Sequence, residues 1–125
     1  MARKSKFYPN NFENVGKSKL SATLYASMLQ SPAWYALSPK AKELYLYMKL
    51  QLFGQNPIEG YGTDCFVFNK AMFTKTYPIY KTGAQFRRDR DQLIEYGFIE
   101  MVECGRFTRT KNIYRFSAKW QEIKN

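Results

Sequence analysis

The helix that begins near Thr82 constrains the fold most, because the sequence marks both of its ends. Thr82 and Gln85 form a Thr-x-x-Gln capping box, in which the threonine hydroxyl can accept a backbone amide at the helix start. At the other end, Gly97 suits the left-handed conformation that ends many helices, and Phe98 can fold back on Leu93. The sequence therefore predicts a helix that runs from this cap to the residue before the glycine.

A helical wheel with 100° per residue separates the two faces of this helix. Phe86, Leu93 and Ile94 fall on one side and predict the buried face. The opposite side carries the residues that we expect to meet solvent or a partner: Ala84, Arg88, Asp91 and Glu95.

Earlier helices are predicted from two Ser-Pro pairs, each of which offers a serine N-cap and a proline in the first turn. Ser31-Pro32 opens a short helix, and Ser38-Pro39 opens one that runs to about Phe53. The second helix has a predicted inner face of Ala41, Leu44, Tyr45, Met48 and Leu52. A further helical pattern starts at Ser21.

The rest of the chain is predicted to form short strands and one more helix. Residues 55–64 are a loop, residues 65–68 a strand, and residues 70–77 a short helix capped by Asn69 and stopped by Pro78. Residues 99–104 and 113–116 predict two strands joined by a long polar and basic loop, residues 105–112. Trp120 and Ile123 are expected to dock on the core.

This order of elements predicts a mainly α fold with a small antiparallel sheet (α+β), a winged helix-turn-helix with an extra N-terminal helix. The 125 residues suffice for one domain, which we place at residues 19–125. Residues 1–18 are basic and without periodicity, and we interpret them as a flexible arm.

Two segments also resemble a known family. Residues 29–42 resemble the family's short helix leading into Leu-Ser-x-x-Ala-Lys, and residues 86–99 resemble its Leu-x-x-x-Gly-Phe-Ile exit from the recognition helix. The chain is thus similar, over about residues 20–117, to the amino-terminal winged-helix domains of plasmid replication initiators and phage replisome-organiser proteins of Gram-positive bacteria. The resemblance implies a DNA-binding protein of a mobile element that acts in replication initiation or transcriptional regulation.

The net charge of +10 is concentrated in three segments. Residues 1–20, 70–90 and 105–121 hold 16 of the 20 Lys and Arg but only 2 of the 10 acids, Glu13 and Asp89. Positive charge gathered on particular segments is typical of a protein with a polyanionic partner. A basic protein without such a partner stays open as the alternative.

We therefore expect double-stranded DNA as the partner and assign candidate contacts on three segments. The recognition helix and its N-terminus supply Lys81, Thr82, Gln85, Arg87 and Arg88, because the first turns of a helix can reach base edges in the major groove. Arg88 and Gln85 are the best candidates for reading guanine or adenine. The loop between the last two strands, the wing, supplies Arg106, Thr108, Arg109 and Lys111. The arm supplies Arg3, Lys4 and Lys6.

Arg90 breaks the pattern, because the wheel places it on the apolar face between Phe86 and Ile94. Either its stem packs and its guanidinium reaches a carboxylate such as Asp64 or Asp89, or the helix is rotated and Arg90 faces DNA. We favour the packed arrangement.

Residue types argue against an enzyme and against metal or cofactor sites. The chain has no histidine, and its two cysteines, Cys65 and Cys104, stand apart, which suggests reduced thiols rather than a zinc site or a disulfide. We expect a cytoplasmic protein that neither crosses nor binds a membrane, since no apolar run is long enough for a span or a signal peptide.

Two other functions remain open. One is a protein-interaction module that uses an aromatic face of Trp34, Tyr35, Tyr45 and Tyr47. The other is an RNA or single-strand binder, which would need exposed aromatic residues on a sheet. Candidate protein partners are a second copy, forming a homodimer on a repeated half-site, and replication or transcription proteins.

Overall fold

A computed structural model describes residues 23–55, 58–103 and 112–123. These ranges hold four α-helices and three strands: α1 (Ala26–Leu29), α2 (Pro32–Ala36), α3 (Pro39–Gly54), β1 (Cys65–Val67), α4 (Gly83–Glu95), β2 (Ile99–Glu103) and β3 (Ile113–Phe116). A π-helical segment (Met72–Thr76) precedes α4, and a 3₁₀ turn (Lys119–Glu122) follows β3. The predicted class, mainly α with a small antiparallel sheet, is confirmed.

The two Ser-Pro pairs begin helices as predicted. The Ser31 hydroxyl accepts a hydrogen bond from the Trp34 amide at 3.2 Å, and the Ser38 hydroxyl accepts one from the Ala41 amide at 3.1 Å. The helix predicted from Ser21 begins later, because Tyr25 has extended backbone angles and α1 spans only four residues. No side-chain hydrogen bond caps α1 in the part of the chain that the structure describes.

The core lies between the inner face of α3, one face of α4 and the sheet. The predicted inner face of α3 is confirmed, since Ala41, Leu44, Tyr45 and Met48 are buried and Leu52 is half-buried. The outer side of the same helix is also apolar and meets solvent at Leu46, Leu50 and Phe53.

The sheet is antiparallel with strand order β1-β3-β2. The central strand pairs through Tyr114, which is opposite Phe66 on β1 and opposite Met101 on β2. A register irregularity lies between Met101 and Glu103. β1 is one residue shorter than predicted, and Phe68 beyond its end is buried in the core.

The end of α4 is fixed by Gly97, as its position predicts. Gly97 has φ +82°, its amide donates to the Ile94 carbonyl at 3.1 Å, and the Phe98 amide donates to the Leu93 carbonyl at 2.9 Å. This pair of bonds is a Schellman motif, which needs a left-handed residue. A side chain at Gly97 would also collide with the backbone at Trp120, whose ring stacks on Phe98. Trp120 and Ile123 pack on the core as predicted.

The short helix before α4 is capped as predicted but continues as a π-helix. The Asn69 side chain accepts the Met72 amide at 3.2 Å, and the Tyr77 amide reaches back five residues to the Met72 carbonyl at 2.7 Å. Pro78 has no amide hydrogen, so the next donor is Ile79. The amides of Ile79 and of Tyr80 after it both donate to the Phe73 carbonyl, which ties the turn before α4 to this helix.

Candidate nucleic-acid interface

The N-terminal end of α4 is fixed by Thr82. Its hydroxyl accepts a hydrogen bond from the Gln85 amide at 3.3 Å, which is the threonine half of the predicted capping box. The side chains predicted to contact DNA around this end are all exposed: Lys81, Thr82, Gln85, Arg87 and Arg88. At 100° per residue, Arg88 lies at the middle of the exposed face, with Gln85 on one side and Arg87 on the other.

The predicted division of α4 into two faces is confirmed. Phe86 and Leu93 are buried and Ile94 is half-buried, whereas the predicted outer residues Ala84, Arg88, Asp91 and Glu95 are exposed. The Arg88 side chain is 73% exposed. The outer face is basic in its first half and acidic further along, at Asp91 and Glu95.

Asp89 is a buried charge that sequence reasoning missed. It is only 3% exposed, although it lies outside the predicted buried face of Phe86, Leu93 and Ile94. One carboxylate oxygen, Oδ2, accepts the Tyr80 hydroxyl at 2.7 Å, and the other, Oδ1, is 3.7 Å from Nε of Arg88. The signal was present on the wheel, where Asp89 lies 60° from Phe86 at the edge of the apolar face.

Tyr80 supplies the partner that makes this burial tolerable, since a buried carboxylate needs a donor. Its ring is buried between Phe73 and Phe86, which contact it edge-on at centroid distances of 5.8 and 5.9 Å. Burial raises the pKa of the Tyr80 hydroxyl, and its hydrogen bond to Asp89 raises that pKa further. Tyr80 therefore stays a protonated donor at neutral pH.

Arg90 adopts the packed arrangement. Its side chain is 14% exposed, with the guanidinium carbon 5.8 Å from the centroid of the Phe86 ring and Nη1 3.5 Å from the Tyr114 hydroxyl. The predicted carboxylate partners Asp64 and Asp89 are wrong, because the ion pair forms with the adjacent Asp91 at 2.9 Å. Asp89 is turned toward Tyr80 on the other side of the helix and is already hydrogen-bonded there.

The third basic segment is partly neutralised where the structure describes it. Arg115 on β3 pairs with Glu100 on β2 at 2.7 Å, directly across the two strands. Cross-strand pairs of this kind stabilise the hairpin. Arg115 is therefore a structural cation rather than an unpaired contact residue.

The predicted wing and arm contacts lie outside the described residues. These are Arg106, Thr108, Arg109 and Lys111 of the wing and Arg3, Lys4 and Lys6 of the arm. The two strands that flank the predicted wing are described as far as Glu103 of β2, which is opposite Ile113 of β3. Cys104 also lies outside the described residues, while Cys65 is a buried free thiol whose pKa is raised by burial.

The predicted aromatic interaction face is not formed. Trp34 and Tyr45 are buried and contact each other edge-to-face at 5.7 Å, and Tyr47 is half-buried against Tyr77. Of the four residues named for this face, only Tyr35 is largely exposed. The prediction that these four residues form an exposed interaction face is therefore wrong, because Trp34 and Tyr45 are part of the core.

A different apolar surface lies on the outer face of α3. Leu46 and Phe53 are 42% and 47% exposed, and an open groove of about 380 Å³ is lined by Leu24, Leu46, Tyr47, Leu50 and Glu43. Sequence reasoning missed this surface, although the spacing of residues 46, 50 and 53 is that of a helix-packing stripe. A long helix that is apolar on two sides normally has both sides covered.

Comparisons with known proteins add no relative, since no protein-family model, no curated protein and no solved structure matches this chain. Among the described residues, no helix is long and apolar enough to cross a membrane. The same residues contain no group of three or more cysteine, aspartate or glutamate side chains that could hold a metal ion.

Proposed function

We propose that this chain is a winged-helix protein that binds duplex DNA in a sequence-specific way, with α4 in the major groove. One observation carries the proposal. The first half of α4 exposes Gln85, Arg87 and Arg88, while the one acid in that half, Asp89, is buried. The surface that a duplex would meet first is therefore basic without an exposed acid among these residues.

The physical fit of α4 to DNA supports this function. An α-helix with its side chains fits the major groove, and the free amides and dipole at its N-terminus favour phosphate. Thr82 is the N-cap of α4, and the exposed Lys81 directly precedes it while the exposed Arg87 and Arg88 follow within six residues, so basic side chains lie near this end. Phosphate contacts would position the helix, and Arg88 or Gln85 would read base edges.

The hairpin gives the proposed protein its second contact. β2 begins two residues after Gly97, so the sheet follows the end of α4 directly. The segment between β2 and β3 carries Arg106, Arg109 and Lys111 in its sequence, and we assign it to phosphate contact or to the minor groove. A role in replication initiation or transcriptional regulation of a mobile element, with the matching protein partners, follows from the family resemblance and belongs to the same proposal.

A salt titration of binding to random-sequence duplex DNA and to single-stranded DNA tests this function. Neutralising six to eight phosphates predicts that the logarithm of affinity falls with the logarithm of salt at a slope of about −5 to −7. Arg88→Ala, and the double change Arg106→Ala with Arg109→Ala, should each make the slope shallower by about one unit per lost contact. Lys119→Ala is the matched control, because it removes the same charge beyond the other end of α4.

Two results would contradict the proposed binding of duplex DNA through α4. A chain that does not bind duplex DNA at moderate salt, or that prefers single strands, does not have the proposed function. Binding that Lys119→Ala weakens as much as Arg88→Ala does would mean a general effect of charge, without a defined helix interface.

The outer face of α3 favours a second function, association with a second copy of this chain. Leu46, Leu50 and Phe53 repeat at the i, i+4, i+7 spacing with which helices pack, and the same stripe on two copies is self-complementary. α3 packs on α4 through its opposite side, so pairing here would leave the basic surface free. A homodimer would also provide two recognition helices for a repeated half-site.

Sedimentation or light scattering across a concentration series tests the dimer. The wild-type chain should form dimers that Leu46→Lys disrupts, whereas Tyr35→Lys, at the exposed tyrosine of α2, should leave them intact. A wild-type chain that stays monomeric over the whole series, alone and with duplex DNA, contradicts this second function.

A further inference from the structure

We infer that Arg88 reads a guanine, and that Asp89 and Tyr80 are positioning residues that aim its guanidinium. This inference rests on the proposed duplex binding and deepens it, because it names the base and the residue that recognises it. Asp89 is a buried carboxylate with no part in the proposed phosphate contacts.

The two oxygens of Asp89 have different partners. Oδ2 accepts the Tyr80 hydroxyl at 2.7 Å, and Oδ1 is 3.7 Å from Nε of Arg88, which is an ion pair. A carboxylate held on one oxygen cannot rotate freely, so the direction in which the other oxygen acts on Arg88 is fixed.

Tyr80 is itself fixed from the core. Its ring contacts Phe73 and Phe86 edge-on, its amide donates to the Phe73 carbonyl at 3.1 Å, and Lys40 Nζ lies 5.4 Å from its centroid. A continuous series of contacts therefore runs from the core through Tyr80 and Asp89 to Arg88. This series ends on a side chain that is 73% exposed.

The ion pair with Asp89 leaves the two terminal nitrogens of Arg88 available for a base. Guanidinium has five N–H donors in a rigid plane, and Asp89 engages it from the Nε side. The two terminal nitrogens can then donate together to a pair of acceptors. In the major groove, guanine presents two acceptors, O6 and N7, whereas adenine presents one acceptor and one donor. The free edge therefore matches guanine.

The neighbouring side chains lack this arrangement. Arg87 is exposed but has no ion pair with a carboxylate among the described residues, which suits a phosphate contact that tolerates many orientations. The ion pair with Asp89 favours orientations in which Nε of Arg88 faces the carboxylate, which reduces the side-chain entropy that recognition would cost. Of the exposed residues of α4, Arg88 is thus the one prepared for a directional contact.

Selection from a duplex library with a randomised centre tests the inference, using the full chain and reading base preference at each position. The wild type should prefer guanine at one position by about 5- to 150-fold, the range for one bidentate pair. Arg88→Lys keeps the charge but lacks the two coplanar terminal nitrogens, so it should lose this preference to a much greater extent than it weakens binding to random duplex. Arg87→Lys is the matched control and should keep the preference.

Two further substitutions test whether Asp89 and Tyr80 position Arg88. Asp89→Asn should lower the guanine preference without weakening binding to random duplex, because it removes the charge that orients Arg88. Tyr80→Phe, which frees Oδ2, should have the same effect in part. A purely structural role for the pair would instead lower the melting temperature and both kinds of binding together. Should Asp89→Asn fail to fold, Tyr80→Phe decides this step and Arg88→Lys decides the reading of guanine.

Several results would overturn the inference while leaving duplex binding intact. These are a wild type that binds duplexes without preferring guanine, a preference that survives Arg88→Lys, and a preference that both positioning variants retain at full strength. A wild type that binds no duplex at all would instead overturn the proposed function.

Discussion

Gly97 fixes the junction between α4 and the sheet, and its replacement by alanine should be severely destabilising. Its φ of +82° costs an L-residue about 1–2 kcal/mol. A Cβ there would lie 2.5 Å from the Trp120 nitrogen and 2.6 Å from the Lys119 carbonyl carbon, both backbone atoms that cannot move alone. Overpacking of this kind costs about 1–3 kcal/mol more. We expect Gly97→Ala to lower the free energy of unfolding by about 2–5 kcal/mol, a large share of a typical total.

Gly60→Ala separates the two causes. Gly60 has nearly the same φ, +87°, but a Cβ there would meet no described atom within 4 Å. Gly60→Ala should therefore lower the free energy of unfolding only by the conformational cost of the positive φ, about 1–2 kcal/mol. Urea unfolding followed by tryptophan fluorescence and by circular dichroism measures both variants. Equal losses for the two glycines would refute the packing argument at the end of α4.

Three further predictions concern single side chains. Burial raises the pKa of Tyr45 and of Tyr80 above the value of about 10 that a phenol has in the unfolded chain, so the stability that they contribute is complete below pH 10 and falls as the pH rises above it. In urea unfolding at a series of alkaline pH values, Tyr45→Phe should reduce the decline of stability by about 1.4 kcal/mol per pH unit, and an unchanged decline would contradict this. Thr82→Ala should cost about 1 kcal/mol in thermal melts through the lost cap, with Thr82→Ser close to wild type, and equal losses for both would refute the role of the hydroxyl. Arg90→Met should leave the salt slope of DNA binding unchanged, because this guanidinium packs toward the sheet, and a slope reduced as in Arg88→Ala would show that Arg90 faces DNA.

The starts of α2, α3 and α4 and the end of α4 could be predicted because their signals are local. Ser31, Ser38 and Thr82 each accept an amide three residues ahead, and this bond depends only on the residue type and its neighbours. Gly97 likewise could be predicted to adopt a left-handed conformation because it directly follows the predicted helix. The inward face of α4 followed from the helical period alone.

The placements that sequence reasoning missed depend on which side chains meet in the folded chain. Asp89 is buried because a tyrosine from the preceding turn brings its hydroxyl to it, and Arg90 then pairs with its other neighbour, Asp91. The burial of Tyr45 followed from the helical spacing that placed it on the inner face of α3, whereas Trp34 could lie on the surface or in the core until the packing of Phe98 against it decides this. Composition and spacing do not contain that information.

The most direct test of the central claim, that α4 is the duplex-binding surface, is a titration of the isotope-labelled chain with duplex DNA followed by amide chemical shifts. The account predicts that the largest shifts cluster from Thr82 to Arg88, while amides on the outer face of α3 around Leu50 change little at a fixed oligomeric state. Shifts that concentrate on α3, or that spread evenly and leave the first turns of α4 unaffected, would contradict the account.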